Sequence, residues 1–288
     1  MARETVGDLL WRAEACLAAA AIPDAALEAE FLLAHFLRTD RGGILVRKRE
    51  PVDGPLLPLI EDGIRRRAGR EPFQYITGRQ EFYGREFHVD PRVLIPRPET
   101  EQLIDLSLGL LPPGAAQVAD LGTGSGCIAV TLAAERPDLH FDAVDRSRDA
   151  LEAAAGNAER CHVEDRIRFH HLDLADLPAS WDQRFDLVVS NPPYVSEAEW
   201  AGLAPEVRDH EPRQALVPDG EADRMYASLA VSASRVLKEQ GVMVLELGHD
   251  SAGAAVQGAV SAGFGYTEVH PDFQGIQRML VAGKGKRT

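Results

Sequence analysis

The chain has 288 residues, enough for two domains or one large one, and it needs no disulfide or metal staple to build a core. It carries 31 Lys and Arg against 45 Asp and Glu, a net charge of −14, which argues against a surface built to grip a nucleic-acid backbone. No apolar run reaches the roughly 18–20 residues of a membrane span, and Cys16, Cys127 and Cys161 are too far apart for a disulfide framework or a zinc spacing.

That cysteine usage suits a reducing cytoplasm, and Glu4, Asp8 and Glu14 interrupt any apolar leader. The acidity is uneven. Residues 1–75 hold 11 basic and 12 acidic side chains, which leaves 20 basic and 33 acidic beyond them.

Residues 1–75 read as a helical domain. Thr5 caps a first helix whose apolar side is Leu9, Leu10, Ala13, Cys16, Leu17 and Ala20, and Pro23-Asp24 ends it. A second helix carries Leu27, Phe31, Ala34 and Phe36-Leu37, and a third carries Leu56, Leu59, Ile60 and Ile64. Arg65, Arg66, Arg67 and Arg70 follow on a helix end, where cations suit the dipole. These arginines, like the basic run 47–49, read as a solvated face, with a binding patch as the alternative.

Residues 76–92 read as a β-hairpin linker, because 81–89 alternates around Gly84. From 93 onward lies the larger domain. Pro96 and Pro98 forbid a helix before Glu99. Strands are expected over 117–121, 141–145, 167–172, 185–190 and 242–247, and helices over 128–135, 148–160, 222–238 and 251–262. Apolar strands alternating with helices indicate a parallel sheet covered on both faces. The last two strands, 266–270 and 278–281, have only a loop between them and should pair antiparallel.

Two loops carry the chemistry. The first strand ends at Asp120-Leu121 and turns through Gly122, Thr123, Gly124, Ser125 and Gly126 into a helix. Ligands of open α/β sheets bind at such carboxyl ends. Cys127 stands where a dinucleotide fingerprint needs its third glycine, and the Lys-Ser/Thr of a phosphate-binding loop is absent. The second strand ends at Asp145, where a carboxylate can accept from both ribose hydroxyls. The third ends at Asp173-Leu174, an acceptor and an apolar cover for an adenine. A glycine turn with two acidic strand ends suits S-adenosylmethionine, which is cationic and has no phosphates.

The fourth strand runs into Asn191-Pro192-Pro193-Tyr194. A planar NH2 group needs two acceptors, and the Asn191 side-chain oxygen and Pro192 carbonyl can supply them. The prolines fix the backbone, and the Tyr194 ring can lie against a flat substrate group. Acceptors on both hydrogens enrich the nitrogen, and holding the reactants in line is worth roughly 7–11 kcal/mol. No Asp, Glu or His is spaced as a base, so proton loss follows methyl transfer. Other candidates weigh less. His170 and His171 point to opposite strand faces, so they cannot share a metal, and no metal site is expected. Glu246 and His249 read as structural residues near a strand end, Cys127 as a small packed residue.

These residues resemble class I S-adenosylmethionine-dependent methyltransferases with an N-P-P-Y motif. Pro72-x-Gln74-Tyr75-x-x-Gly78, Phe82-x-Gly84-x-x-Phe87-x-Val89, the run Leu94-Ile95-Pro96-Arg97-Pro98-Glu99-Thr100-Glu101 and Glu211-Pro212-x-x-Ala215-Leu216 narrow the resemblance to the peptide chain release factor N5-glutamine methyltransferases, the HemK/PrmC family. It covers about 70–280 well. The resemblance implies a Rossmann-like fold with a seven-stranded, mostly parallel sheet over 93–288 and a small N-terminal helical bundle that helps recognise the substrate protein. It implies methylation of the glutamine in the Gly-Gly-Gln motif of bacterial release factors, with S-adenosylhomocysteine as product. It puts Gly122–Gly126, Asp145, Asp173, Leu174 and Asn191 at the cofactor and 191–194 at the glutamine, although some relatives carry Trp in place of Leu174. A ribosomal-protein glutamine methyltransferase shares the tetrapeptide, and an adenine-N6 or guanine-N2 enzyme could use the same clamp on a flipped base. The Arg97–Glu101 run favours the release-factor branch. The acidity beyond residue 75 counts against nucleic acid as a direct partner.

Overall fold

Thr5 makes a capping box with Asp8, and the first helix starts there: its hydroxyl accepts from Asp8 N at 3.2 Å. The computed structural model describes residues 4–285. They form two compact units. One runs to Gly78 and takes in Ala204–His210; the other comprises Arg79–Leu203 and the chain from Glu211 on.

The smaller unit contains α1 (Val6–Ala19), α2 (Ala25–Phe36), α3 (Arg41–Val46), α4 (Leu57–Ala68) and α5 (Phe73–Thr77). Its core gathers Leu9, Leu17, Leu32, Leu33, Ile44 and Ile60. The periodicity places α1, α2 and α4, does not show the short α3 and α5, and misses part of the faces it does place. Cys16, Phe31 and Leu59 are exposed, while Leu32 and Leu33 are buried in their stead. Phe31 stays useful outside, with Phe73 edge-on at 6.3 Å and the Arg41 guanidinium over its ring.

In the larger unit β1 (Arg79–Phe82) and β2 (Arg85–His88) form the hairpin. Tyr83 and Gly84 turn it with φ of +51° and +70°, the hand that matches strand twist. The segment expected as a linker differs from that expectation. Residues 76–78 still belong to the helical unit, and Phe82 and Phe87 are buried in the larger unit's core, so the hairpin is part of it.

The sheet follows: α6 (Glu99–Leu110), β3 (Ala116–Leu121), α7 (Cys127–Glu135), β4 (Leu139–Asp145), α8 (Arg148–Arg160), β5 (Ile167–His171) and β6 (Phe185–Ser190). After β6 come two short helices, α9 (Glu197–Trp200) and α10 (Pro205–Arg208), then α11 (Ala222–Val236), β7 (Leu237–Glu246), α12 (Ala252–Ser261), β8 (Tyr266–Pro271) and β9 (Gln277–Gly283). The strand order is β5-β4-β3-β6-β7-β9-β8, parallel except at β9. This is the seven-stranded class I methyltransferase sheet. Strand order reverses at β3, the place where open sheets leave a crevice.

Alternate strand residues serve opposite faces. Val118 and Leu187 pack with Leu103, Ile128 and Leu132 on one side, Ala119 and Val188 with Tyr226, Leu229 and Val236 on the other. β7 begins earlier than its apolar run suggests. Leu237 already pairs with Phe185, and a register shift follows before Leu187 meets Val242. Sheet pairing there ends the helical pattern.

Candidate functional site

The floor of the site is the turn after β3. Gly122 N and Thr123 N both donate to the Val144 carbonyl of β4, at 2.8 and 2.9 Å. Gly122, Gly124 and Gly126 have φ of +81°, +55° and +79°, which glycine adopts at least cost. A Cβ on Gly126 would lie 3.0 Å from that of Ala154, so the turn sits tight on α8. A Cβ on Gly122 or Gly124 would meet nothing within 4 Å, which leaves the backbone open to a ligand.

Asp120 lies buried at the end of β3 and accepts from the Thr123 hydroxyl at 2.6 Å. Its second oxygen, Oδ1, is buried without a hydrogen-bond partner among the described residues. Burial pushes this carboxyl up to about 7.

Asp145, at the end of β4, accepts from Gly124 N and from Ser147 N, each at 2.9 Å. Each oxygen keeps a lone pair for a further donor. Asp173 accepts from Ala175 N at 2.9 Å, flanked by half-buried Leu172 and Leu174. The side chain of Asn157 in α8 joins the turn to the hairpin. Its Nδ2 donates to Ser125 O at 2.9 Å and His88 O at 3.0 Å, and its oxygen accepts from His88 N at 2.8 Å.

The loop after β6 stands beside this turn, because the Ser190 hydroxyl donates to the Leu121 carbonyl at 2.5 Å. Asn191 Nδ2 donates to the Thr100 hydroxyl oxygen at 3.2 Å. Thr100 donates in turn to Glu246 Oε2 at 2.6 Å, and the Tyr194 hydroxyl reaches Glu246 Oε1 at 3.3 Å. Glu246 is buried, and burial pushes it up to about 7.

One cavity of about 420 Å³ takes in both loops. Such a volume holds a small-molecule ligand. Its wall includes Gly122, Thr123, Gly124, Ser125, Asp145, Asp173, Leu174, Asn191 and Pro193, all expected from sequence. Gly126 lies behind the turn, Pro192 is buried, and Tyr194 faces Glu246 with its ring against Gly248. More of the wall comes from Pro96, Arg97 and Thr100 on one segment and Pro212, Gln214 and Ala215 on another. Glu211 pins these together: it is buried and accepts from Ile95 N at 3.2 Å and from Arg97 at 2.5 Å.

Two family descriptions match the chain, "PrmC N-terminal domain" over residues 8–78 and "Methyltransferase small domain" over 105–243. The chain is 42% identical to the release factor glutamine methyltransferase of Nitratidesulfovibrio vulgaris, covering 96% of this chain and 95% of that protein. It is 41% identical to the protein of that name from Chlorobaculum tepidum, covering 96% of each. The chain belongs to the release factor glutamine methyltransferase family.

A methyltransferase from Pyrococcus furiosus shares the fold, with a TM-score of 0.52 at 16% identity over 71% of this chain and 91% of that one.

Four residues of this methyltransferase's site escape a reading by motif: Thr100, Asn157, Glu211 and Glu246. Thr100 and Glu211 lie inside motifs that mark the family, yet their partners come from distant segments. Glu246, expected to be structural, is bonded to the loop that presents Asn191. His170 contacts Asp142 at 2.7 Å and His171 the Arg146 carbonyl at 2.9 Å, so each has its own partner.

The arginines expected as a solvated face prove otherwise in part. Arg67 is buried between Glu28 at 3.0 Å and Glu206 at 3.1 Å, and Arg70 meets Glu206 at 2.8 Å. Arg66 pairs with Glu71, and exposed Arg65 pairs with Asp62.

Proposed function

We propose that this methyltransferase transfers a methyl group from S-adenosylmethionine to the side-chain amide nitrogen (N5) of the glutamine in the Gly-Gly-Gln motif of bacterial release factors. The observation that carries this reading is the shared cavity, in which the glycine turn after β3 and Asn191 after β6 form adjoining walls.

The residues present fit the donor. Asp145 offers carboxylate lone pairs to ribose hydroxyls, Leu172 and Leu174 offer apolar cover for a purine, and Asp173 offers an acceptor for an exocyclic amine. The open space over Gly122 and Gly124 admits a ligand close to the backbone. When bound, the donor supplies an electrophilic methyl carbon on a positively charged sulfur.

The chain's own groups then do two things. Asn191 Oδ1 and the Pro192 carbonyl accept from the two amide hydrogens, which raises electron density on nitrogen and aims it. With donor and substrate seated against the walls from 96–100 and 212–215, less water reaches the contact, which strengthens those acceptor dipoles. The nitrogen gains the methyl group and sheds one proton after transfer; S-adenosylhomocysteine is the other product. We place this reaction in the cytoplasm, with the free thiols of Cys16, Cys127 and Cys161 in keeping.

The test is Asn191→Ala with labelled donor and a release factor. We expect kcat to fall by about 10²–10³-fold, the usual loss for one preorganised partner, while donor affinity measured by calorimetry stays within about threefold. Unchanged turnover would remove the clamp from the mechanism.

A further inference from the structure

We infer that Thr100 and Glu246 are positioning residues that fix which end of the Asn191 amide meets the substrate. The inference rests on the reading of Asn191 as an acceptor and goes beyond it to what makes it one.

An asparagine amide has one accepting end and one donating end of nearly equal size. Nothing in the shape of Asn191 decides which end faces the cavity. The decision comes from behind. Glu246 is a pure acceptor when ionised, so the hydroxyl proton of Thr100, 2.6 Å away, points at it. Only lone pairs remain on that hydroxyl oxygen for Asn191. The NH2 end of the amide therefore turns toward Thr100, at 3.2 Å. The carbonyl end has no hydrogen bond among the described residues and is left to accept.

A reversed amide would set its NH2 against the substrate NH2, donor against donor. Such a mismatch leaves polar groups of enzyme and substrate unpaired where they meet. The Glu246 carboxylate thus sets the polarity of a contact two bonds removed from it. It also receives the Tyr194 hydroxyl, so one side chain orients two residues of the 191–194 loop. Gly248, just past β7, leaves room for that tyrosine: a Cβ there would lie 2.9 Å from the ring.

Both groups are buried, Thr100 in the first turn of α6 and Glu246 at the end of β7. An ionised carboxylate in that place is costly, and an apolar residue would pack there without the cost. A role in setting polarity explains why an acid stands there.

The experiment compares wild type, Thr100→Val and Thr100→Ser in steady-state methylation of a release factor, with donor affinity measured separately by calorimetry. Valine keeps the shape and removes the hydroxyl; serine restores it. We expect kcat of Thr100→Val to fall about tenfold or more, the worth of one hydrogen bond, with KM for the factor and donor affinity within about threefold. Thr100→Ser should recover most of the lost kcat. Wild-type kcat in Thr100→Val, or a serine variant as slow as the valine one, overturns the inference. A wild-type enzyme that labels no release factor overturns it together with the reading it rests on, whereas a failure confined to the variants leaves that reading standing.

Discussion

At the scale of single residues, two buried carboxylates separate function from stability. Burial raises Asp120 from 3.8 and Glu246 from 4.5, both to about 7. A raised pKa in the folded state contributes stability that is complete below the unfolded value. It is lost as pH climbs through about 7. The ligand-free protein should therefore show a falling Tm between about pH 4 and 8. Asp120→Asn should have a higher Tm than wild type at pH 8. Scanning fluorimetry across pH decides this, and a lower Tm for the variant at pH 8 would refute it. Turnover should run the other way. Once protonated, Glu246 becomes a donor to Thr100, and the hydroxyl no longer holds the NH2 end of Asn191 inward with its carbonyl toward the cavity. The charged and titratable groups around Glu246 are Glu99, Cys127, Tyr194, Tyr226 and Arg278; burial raises both tyrosines and the thiol, Cys127 and Tyr226 to about 12. None of these three titrates near neutrality. We expect kcat to drop on the acid side of about pH 7 and this limb to vanish in Thr100→Val. The tetrapeptide at 191–194 and the glycine turn are legible in the sequence because each is contiguous. The polarity device is not, because Thr100 lies 91 residues from Asn191 and 146 from Glu246.

At the scale of elements, periodicity locates most strands and helices of the larger unit, and alternation places the hairpin. What it cannot supply is where the hairpin docks. Asn157 answers that with three hydrogen bonds joining β2, α8 and the glycine turn. Asn157→Ala strands a buried carbonyl of Ser125 and half-buried backbone groups of His88, and should cost about 2–3 kcal/mol in urea unfolding. It should also loosen donor binding, because Ser125 is in the cavity wall. A variant of wild-type stability would show that water replaces the side chain at no cost. The misplaced faces of the N-terminal helices have a related origin. Leu32 and Leu33 are adjacent, and only the tertiary packing of α2 selects them over Phe31 for the core.

At the scale of the whole molecule, the sequence is read in order while the fold is not. The reading of 1–75 as the helical domain leaves out Ala204–His210, which enters the smaller unit from far down the chain. Glu206 ties it there through Arg67 and Arg70. The arginines at the end of α4 are thus partly internal counter-charges, and reversing Arg65, Arg66 and Arg67 together would damage the fold as well as any docking face. Single changes separate the two. Arg67→Ala should destabilise the smaller unit by about 3–5 kcal/mol, the cost of breaking a buried pair, while exposed Arg65→Glu should stay within about 0.5 kcal/mol. Hydrogen exchange of α1 and α2 reads both, and an Arg67→Ala unit as protected as wild type would refute the first. The net charge of −14 weighs against nucleic acid without choosing a substrate; membership of the release factor glutamine methyltransferase family makes that choice, and the proposed amine clamp agrees with it. The most direct measurement offers labelled S-adenosylmethionine with a release factor, its Gly-Gly-Gln Gln→Ala variant, the ribosomal substrate and DNA in parallel. Label on the intact release factor, lost in its variant, is the predicted result; label on DNA alone would contradict it.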